Sequence, residues 1–252
     1  MWEFSLNIKT ENFEIAKFFY NTLLMTIPSS EGVVTSHEEG GYISVLCAVN
    51  DEIKIQVQAL LINTIIDVVC THFKAEYLNK SLVLPNHDII GMSAFRKALL
   101  NFDKETDRYI IKKSLTLNNT LYLESFYKFK LKSLENKWAE LVSLSNENKE
   151  YLVSRESFVD LLKFLVDNLD ICEDEISVVK EDGGYRIYSE EKGNQLISEE
   201  CMVSSVIDLS PQKINLYFNE SSSAISLLEK IFEERITVNQ TTHANIKKFK
   251  LN

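Results

Sequence analysis

Between Pro85 and Pro211 the chain runs without a proline, and between those points Gly91 is the only glycine before Gly183. Few sequence features constrain a fold more, because proline and glycine are the two strongest interrupters of regular backbone. From about residue 88 to 170 the spacing therefore predicts helices. Two of them have a clear apolar stripe. One spans Leu121 to Leu144, with Leu123, Phe126, Tyr127, Leu131, Leu134, Trp138, Leu141 and Val142 at three- and four-residue steps. The other spans Ser154 to Leu169, with Phe158, Leu161, Leu162, Leu165 and Val166.

The flanks have a different texture. Trp2, Phe4, Leu6 and Ile8 alternate and predict a strand. Thr10 is the expected cap of a helix whose apolar face is Phe13, Ala16, Tyr20, Leu23 and Leu24. Val33 to Ser36 and Tyr42 to Val49 read as strands joined at His37-Glu38-Glu39-Gly40-Gly41, since glycine accepts the positive φ of a tight hairpin. A long helix capped at Asn50 or Asp51 follows, with Val57, Leu61, Ile65, Val68, His72 and Phe73 on its apolar side; Asn86 is the expected cap of the next. In the last third, Glu175 to Lys180 and Tyr185 to Tyr188 flank Gly183-Gly184 as a second hairpin. A helix capped by Ser198, a strand over Ile214 to Phe218 and a helix over Ser223 to Glu234 complete it.

The fold class expected is α+β: a β-α-β-β-α part over 1–85, a helical region over 86–172, a β-β-α-β-α part over 173–236 and a polar basic tail over 237–252. No linker rich in Gly, Pro or Ser divides them, so the parts are expected to share one compact body. With 45% apolar residues the chain lies far from the composition of disordered segments. A chain of 252 residues buries about 70–75% of its unfolded surface without disulfide staples.

Cys47, Cys70, Cys172 and Cys201 are scattered, with no CxxC clip and no zinc-site spacing, which suits a reducing compartment. The N-terminus lacks a basic segment followed by an apolar core, and the most apolar run, Val57 to Phe73, is interrupted by Gln58, Asn63 and Asp67. A cytosolic protein with no membrane span is expected.

Charge is unevenly placed. The net formal charge is −10, yet residues 96–137 carry +5, between −6 over 1–95 and −13 over 138–234; residues 235–252 carry +4. The basic segment comprises Arg96, Lys97, Lys104, Arg108, Lys112, Lys113, Lys128, Lys130, Lys132 and Lys137. Three roles fit it: internal balance against the acidic C-terminal third, attraction of an acidic protein partner, or contact with nucleic acid or a membrane surface.

Catalytic patterns are not apparent. His37, His72, His87 and His243 stand apart, with no pair at the spacing of a metal site. Gly91-Met92-Ser93-Ala94-Phe95 lacks the second glycine and the preceding strand of a nucleophile elbow. No phosphate-binding glycine motif occurs, and Glu173-Asp174-Glu175, Glu190-Glu191 and Glu199-Glu200 lack the alternate spacing of a calcium loop. No catalytic residue, cofactor or metal is therefore expected.

Four stretches in order carry a family likeness: Phe126-Tyr127-Lys128-Phe129-Lys130-Leu131-Lys132, then 157–167 (SFVDLLKFLVD), then the hairpin 182–188 (DGGYRIY), then 203–214 (VSSVIDLSPQKI). Together, over roughly residues 120–232, they resemble the YtxC-like family of sporulation proteins of endospore-forming Bacillota. The resemblance implies a cytosolic, sporulation-associated protein, and it carries no catalytic or ligand-binding residue. The expected role is a non-enzymatic protein-interaction module, with Phe126, Lys128, Phe129, Lys130 and Lys132 as the candidate interaction surface and an unidentified protein as partner. The alternatives are a nucleic-acid-associated regulator acting through 96–137, and a small-ligand binding protein or enzyme.

Overall fold

The computed structural model describes residues 1–83, 88–147, 150, 153–218 and 222–239. Strand β1 (Trp2–Lys9) leads through a 3-10 turn (Thr10–Asn12) into helix α1 (Phe13–Thr26). Strands β2 (Gly32–Glu39) and β3 (Tyr42–Val49) form the expected hairpin, with Gly40 and Gly41 at φ +60° and +82°. Helix α2 (Lys54–Val68), a π-helical turn (Val69–Phe73) and α3 (Lys74–Ser81) run on without a break. Helices α4 (Ile89–Asn101) and α5 (Lys104–Ser114) follow, then a short strand β4 (Thr120–Tyr122), α6 (Leu123–Lys130), α7 (Lys132–Glu147) and α8 (Arg155–Asp167). Strands β5 (Glu173–Glu181), β6 (Gly184–Ser189) and β7 (Gly193–Ile197) come next. Helix α9 (Glu199–Leu209), β8 (Pro211–Leu216), α10 (Ser223–Phe232) and β9 (Ile236–Val238) close the chain.

The class is α+β, with two mixed sheets. The chain divides into two compact units, each discontinuous in sequence: 1–81 with 105–142, and 82–104 with 143–252. The helices of the 86–172 region are thus shared out, α4 and α8 to the second unit, α6 and most of α5 to the first.

In the first unit the sheet order is β2-β3-β1-β4, antiparallel except for the parallel β1–β4 pair. Phe4, Leu6 and Ile8 turn one face of β1 onto the core, where Ile15, Phe19, Leu61, Ile65, Leu123 and Trp138 meet them. In the second unit the order is β7-β6-β5-β8-β9, with β5–β8 and β8–β9 parallel. Helices α4, α8, α9 and α10 pack on one another, with Phe95 and Phe158 at 5.4 Å between ring centres. Ser210 ends α9 in the left-handed region at φ +40°, its N–H bonding back to Val206 O, and Pro211 starts β8.

Several expectations need correction. The 88–170 stretch is not wholly helical: β4 intervenes, and the helix expected over Leu121 to Leu144 begins as a strand and breaks at Leu131. Two strands escaped prediction at the C-terminal end. Every residue of β7 but its last is exposed, so no alternation marks it, and β9 is only three residues long. Helix α1 buries Ile15, Ala16, Phe19 and Leu23 and leaves Phe13 and Leu24 about half exposed. Its sequence is apolar almost all round, so more than one stripe satisfied the helical period. Ser154 and Ser198 stand at helix starts without a side-chain cap bond, whereas Asp88 accepts from Gly91 N at 2.7 Å and Ser222 from Ile225 N at 3.3 Å. Thr10 is the first residue of the 3-10 turn, not a helix cap. The Asn86 cap, His87, His243 and the tail beyond Asn239 lie outside the described residues.

Candidate functional site

Helix α6 places the expected surface. Its inward stripe is Leu123 and Phe126; Phe126 is only 5% exposed and belongs to the core, so it leaves the candidate set. The helix stops after Lys130, and buried Leu131 continues the stripe in place of Phe129. Phe129 is consequently 71% exposed. Lys128, Lys130 and Lys132 are exposed beside it, and the Lys128 ammonium lies 5.8 Å from the centre of the Phe129 ring. An exposed phenylalanine among lysines offers apolar contact and positive charge together, the complement of an acidic segment with an apolar side chain.

A groove of about 530 Å³ opens alongside, lined by Ser114, Asn118, Thr120, Tyr122, Phe129 and Lys130 among others. Tyr122 makes an edge-on contact with Tyr42, the first residue of β3 in the same sheet, 5.3 Å between ring centres. Among the described residues none that lines the groove is a carboxylate.

The rest of the basic segment is partly neutralised. Lys97 pairs with Asp208 at 3.2 Å, Arg108 with Asp67, and Lys137 with Asp107 at 3.2 Å. Arg96 and Lys97 sit on α4, in the second unit, so the ten basic residues do not form one element's surface.

A buried charge cluster escaped sequence reasoning. Asp107 of α5, fully buried, accepts from Lys74 Nζ at 2.8 Å, Trp138 Nε1 at 3.0 Å and Lys137 Nζ at 3.2 Å. The π-helical turn before Lys74 adds a residue to the helical circuit and turns Phe73 and Lys74 inward in succession. Burial pulls the Lys74 ammonium below its ordinary range, against the opposing charge and hydrogen bond of Asp107. Burial, aided by the Asp107 charge, pushes the neighbouring Cys70 thiol up to about 12. No hydropathy period flags such a pair, because each residue sits singly in an otherwise ordinary helix.

A second groove, about 510 Å³, lies against α1 and the π-helical turn, with Phe13, Phe18, Val68, Thr71 and His72 on its walls. His72, expected on the apolar side of the long helix, is exposed there and makes an edge contact with Phe73. Among the described residues no cluster of His, Cys, Asp and Glu could hold a metal ion. Of the acidic runs, Glu173 is a buried structural anchor: its carboxylate accepts from Ser189 Oγ and from the backbone N–H groups of Glu190 (3.1 Å) and Glu191 (3.2 Å), fixing the β6–β7 turn. Gly91 to Phe95 lies inside α4.

One continuous helical run among the described residues, Lys54–Ser81, is long and apolar enough by length and composition to cross a membrane. Val57, Leu61, Ile65, Val69 and Phe73 along it belong to the core of the first unit. No protein-family model, curated protein or solved structure matches the chain.

Proposed function

We propose that this is a non-enzymatic, cytosolic protein-interaction module that serves during sporulation and binds an acidic segment of a partner through α6. One observation carries the molecular part: Phe129 stands 71% exposed at the end of a short helix, flanked by exposed Lys128, Lys130 and Lys132. A large apolar ring held in water by its own helix gains free energy when a partner covers it. The lysines around it select for negative charge and speed encounter. The sporulation setting rests on the ordered motifs between about 120 and 232 that resemble YtxC-like proteins. The cytosolic assignment draws on thiols at all four cysteine positions, with no disulfide among them.

The test is capture of the full chain's partners from sporulating cells with nuclease present, beside a variant carrying Lys128→Glu, Lys130→Glu and Lys132→Glu. The reading expects a stoichiometric, nuclease-resistant protein whose capture is lost in the variant while the circular dichroism spectrum is unchanged. Equal capture by the variant overturns the surface assignment. Loss of every captured species on nuclease treatment moves the role to nucleic-acid binding through the remaining cations of 96–137.

A further inference from the structure

The sheet of the first unit ends on an open edge beside the candidate surface. Among the described residues its order finishes at β4, with no strand beyond. Ser5 N–H donates to Asn119 O at 2.9 Å, and this fixes which backbone groups of β4 serve the ladder. In a parallel pair alternate residues face the neighbour. Asn119 and Leu121 therefore face β1, and the N–H and C=O of Thr120 with the N–H of Tyr122 point the other way. The side chains of Thr120 and Tyr122 are exposed, and both residues line the 530 Å³ groove that α6 closes with Phe129 and Lys130.

We propose that this groove receives an extended acidic peptide of another protein, which adds a strand to the free edge of β4. The inference rests on the α6 interaction reading and adds the mode of binding to it. Backbone pairing to Thr120 and Tyr122 supplies register, and the rings of Tyr122 and Phe129 take an apolar side chain. Charge chooses the occupant. Lys112 and Lys113 end α5 just before the Ser114 wall of the groove, and Lys128, Lys130 and Lys132 stand on the α6 side, all five exposed. With no carboxylate among the described residues that line the groove, an acidic peptide meets attraction there. The opposite edge, β2, ends in exposed Glu38 and Glu39 and repels the same ligand.

The experiment is selection of a random peptide library on the full chain, followed by affinity measurement with the winning synthetic peptide. The expected winners alternate Asp or Glu with apolar residues. Thr120→Pro removes the outward N–H and leaves the β1 side of the ladder untouched, as an edge position permits. It should weaken binding about fivefold to tenfold. Methylating the peptide's own backbone nitrogens one at a time needs no protein variant, and should weaken binding at every second position only. Lys130→Glu and Phe129→Ala should weaken it as well. Loss with Lys130→Glu and Phe129→Ala, but indifference to Thr120→Pro and to every methylation, overturns strand addition and leaves the α6 surface standing. Failure to enrich acidic sequences overturns both, and displacement of the peptide by poly(U) at lower concentration than by unlabelled peptide assigns the groove to single-stranded nucleic acid instead.

Discussion

Lys74 Nζ lies 2.8 Å from Asp107 Oδ2, and each side chain is only 1% exposed. Trp138 Nε1 donates to the same oxygen and Lys137 Nζ to the other, so both carboxylate oxygens are engaged in the middle of an apolar unit. Such a pair is weak evidence of net stabilisation but a strong constraint on arrangement, since removing either member leaves the other's buried charge poorly compensated. Lys74→Met should therefore cost about 2–4 kcal/mol, less than for a fully orphaned charge because Lys137 still opposes Asp107. Pairing it with Asp107→Asn should cost well under the sum of the two single changes, because the double variant leaves no uncompensated charge at the 74–107 contact. Urea unfolding followed by the fluorescence of buried Trp138 measures both. Additive losses would show that the two side chains do not act as a pair.

Much of this architecture is legible in the sequence, and the rest fails for identifiable reasons. Strand β1 and the β2–β3 hairpin follow from Trp2, Phe4, Leu6 and Ile8 and from Gly40-Gly41. Helices α8, α9 and α10 follow from their apolar stripes. What stays hidden is short, exposed or set by distant contacts. Strand β4 has three residues, of which only Leu121 turns partly inward, and it exists because β1 offers Ser5 N–H to Asn119. The Phe126–Phe129 distinction turns on where α6 stops, and Leu131 decides that by taking the next buried place. The Lys74–Asp107 pair joins residues 33 apart in sequence, and only the fold brings them together.

Asp208 reports on the second unit under acid. Burial raises its pKa, but the hydrogen bond from Lys192 and the charge of Lys97 outweigh that and hold it at about 2, below the ordinary 3.8. A carboxyl depressed in the folded chain contributes stability that is present above the unfolded value and is lost as pH falls from about 4 toward about 2. Asp208→Asn should cost about 1–2 kcal/mol at neutral pH, a figure reduced for its partial exposure. The variant should also lose less between pH 4 and pH 2 than the unaltered chain. Because both tryptophans lie in the first unit, circular dichroism is the measurement that follows this transition. Parallel acid curves for the two proteins would remove Asp208 from the account.

Gly184 opens β6 where the neighbouring strand passes very close. A Cβ there would stand 2.2 Å from Ile197 O, a backbone atom that cannot turn aside. Gly184→Ala should force the β6–β7 pair apart at its Tyr185–Ile197 end and cost on the order of 2–4 kcal/mol. Hydrogen exchange should show β7 amides losing protection while β5 and β8 keep theirs. Unchanged protection in β7 would mean that the edge strand shifts without loss.

The four cysteines should divide by burial. Burial pushes the Cys47 thiol up to about 11 and the Cys70 thiol up to about 12, so at neutral pH neither holds an appreciable fraction of the reactive thiolate. Both are also closed from solvent, at 2% exposure each, one in the central strand β3 and one in the π-helical turn beside Asp107. Cys172 and Cys201 are exposed. A disulfide reagent should thus titrate two thiols quickly in the native protein and the other two only as the first unit opens, at a rate that follows global unfolding in urea. Lys74→Met should accelerate the slow pair, because loosening the Lys74–Asp107 contact opens the π-helical turn that holds Cys70. Fast labelling of Cys70 in the unaltered protein would show that this turn opens independently of the core, and the buried ion pair would then constrain far less than its geometry implies.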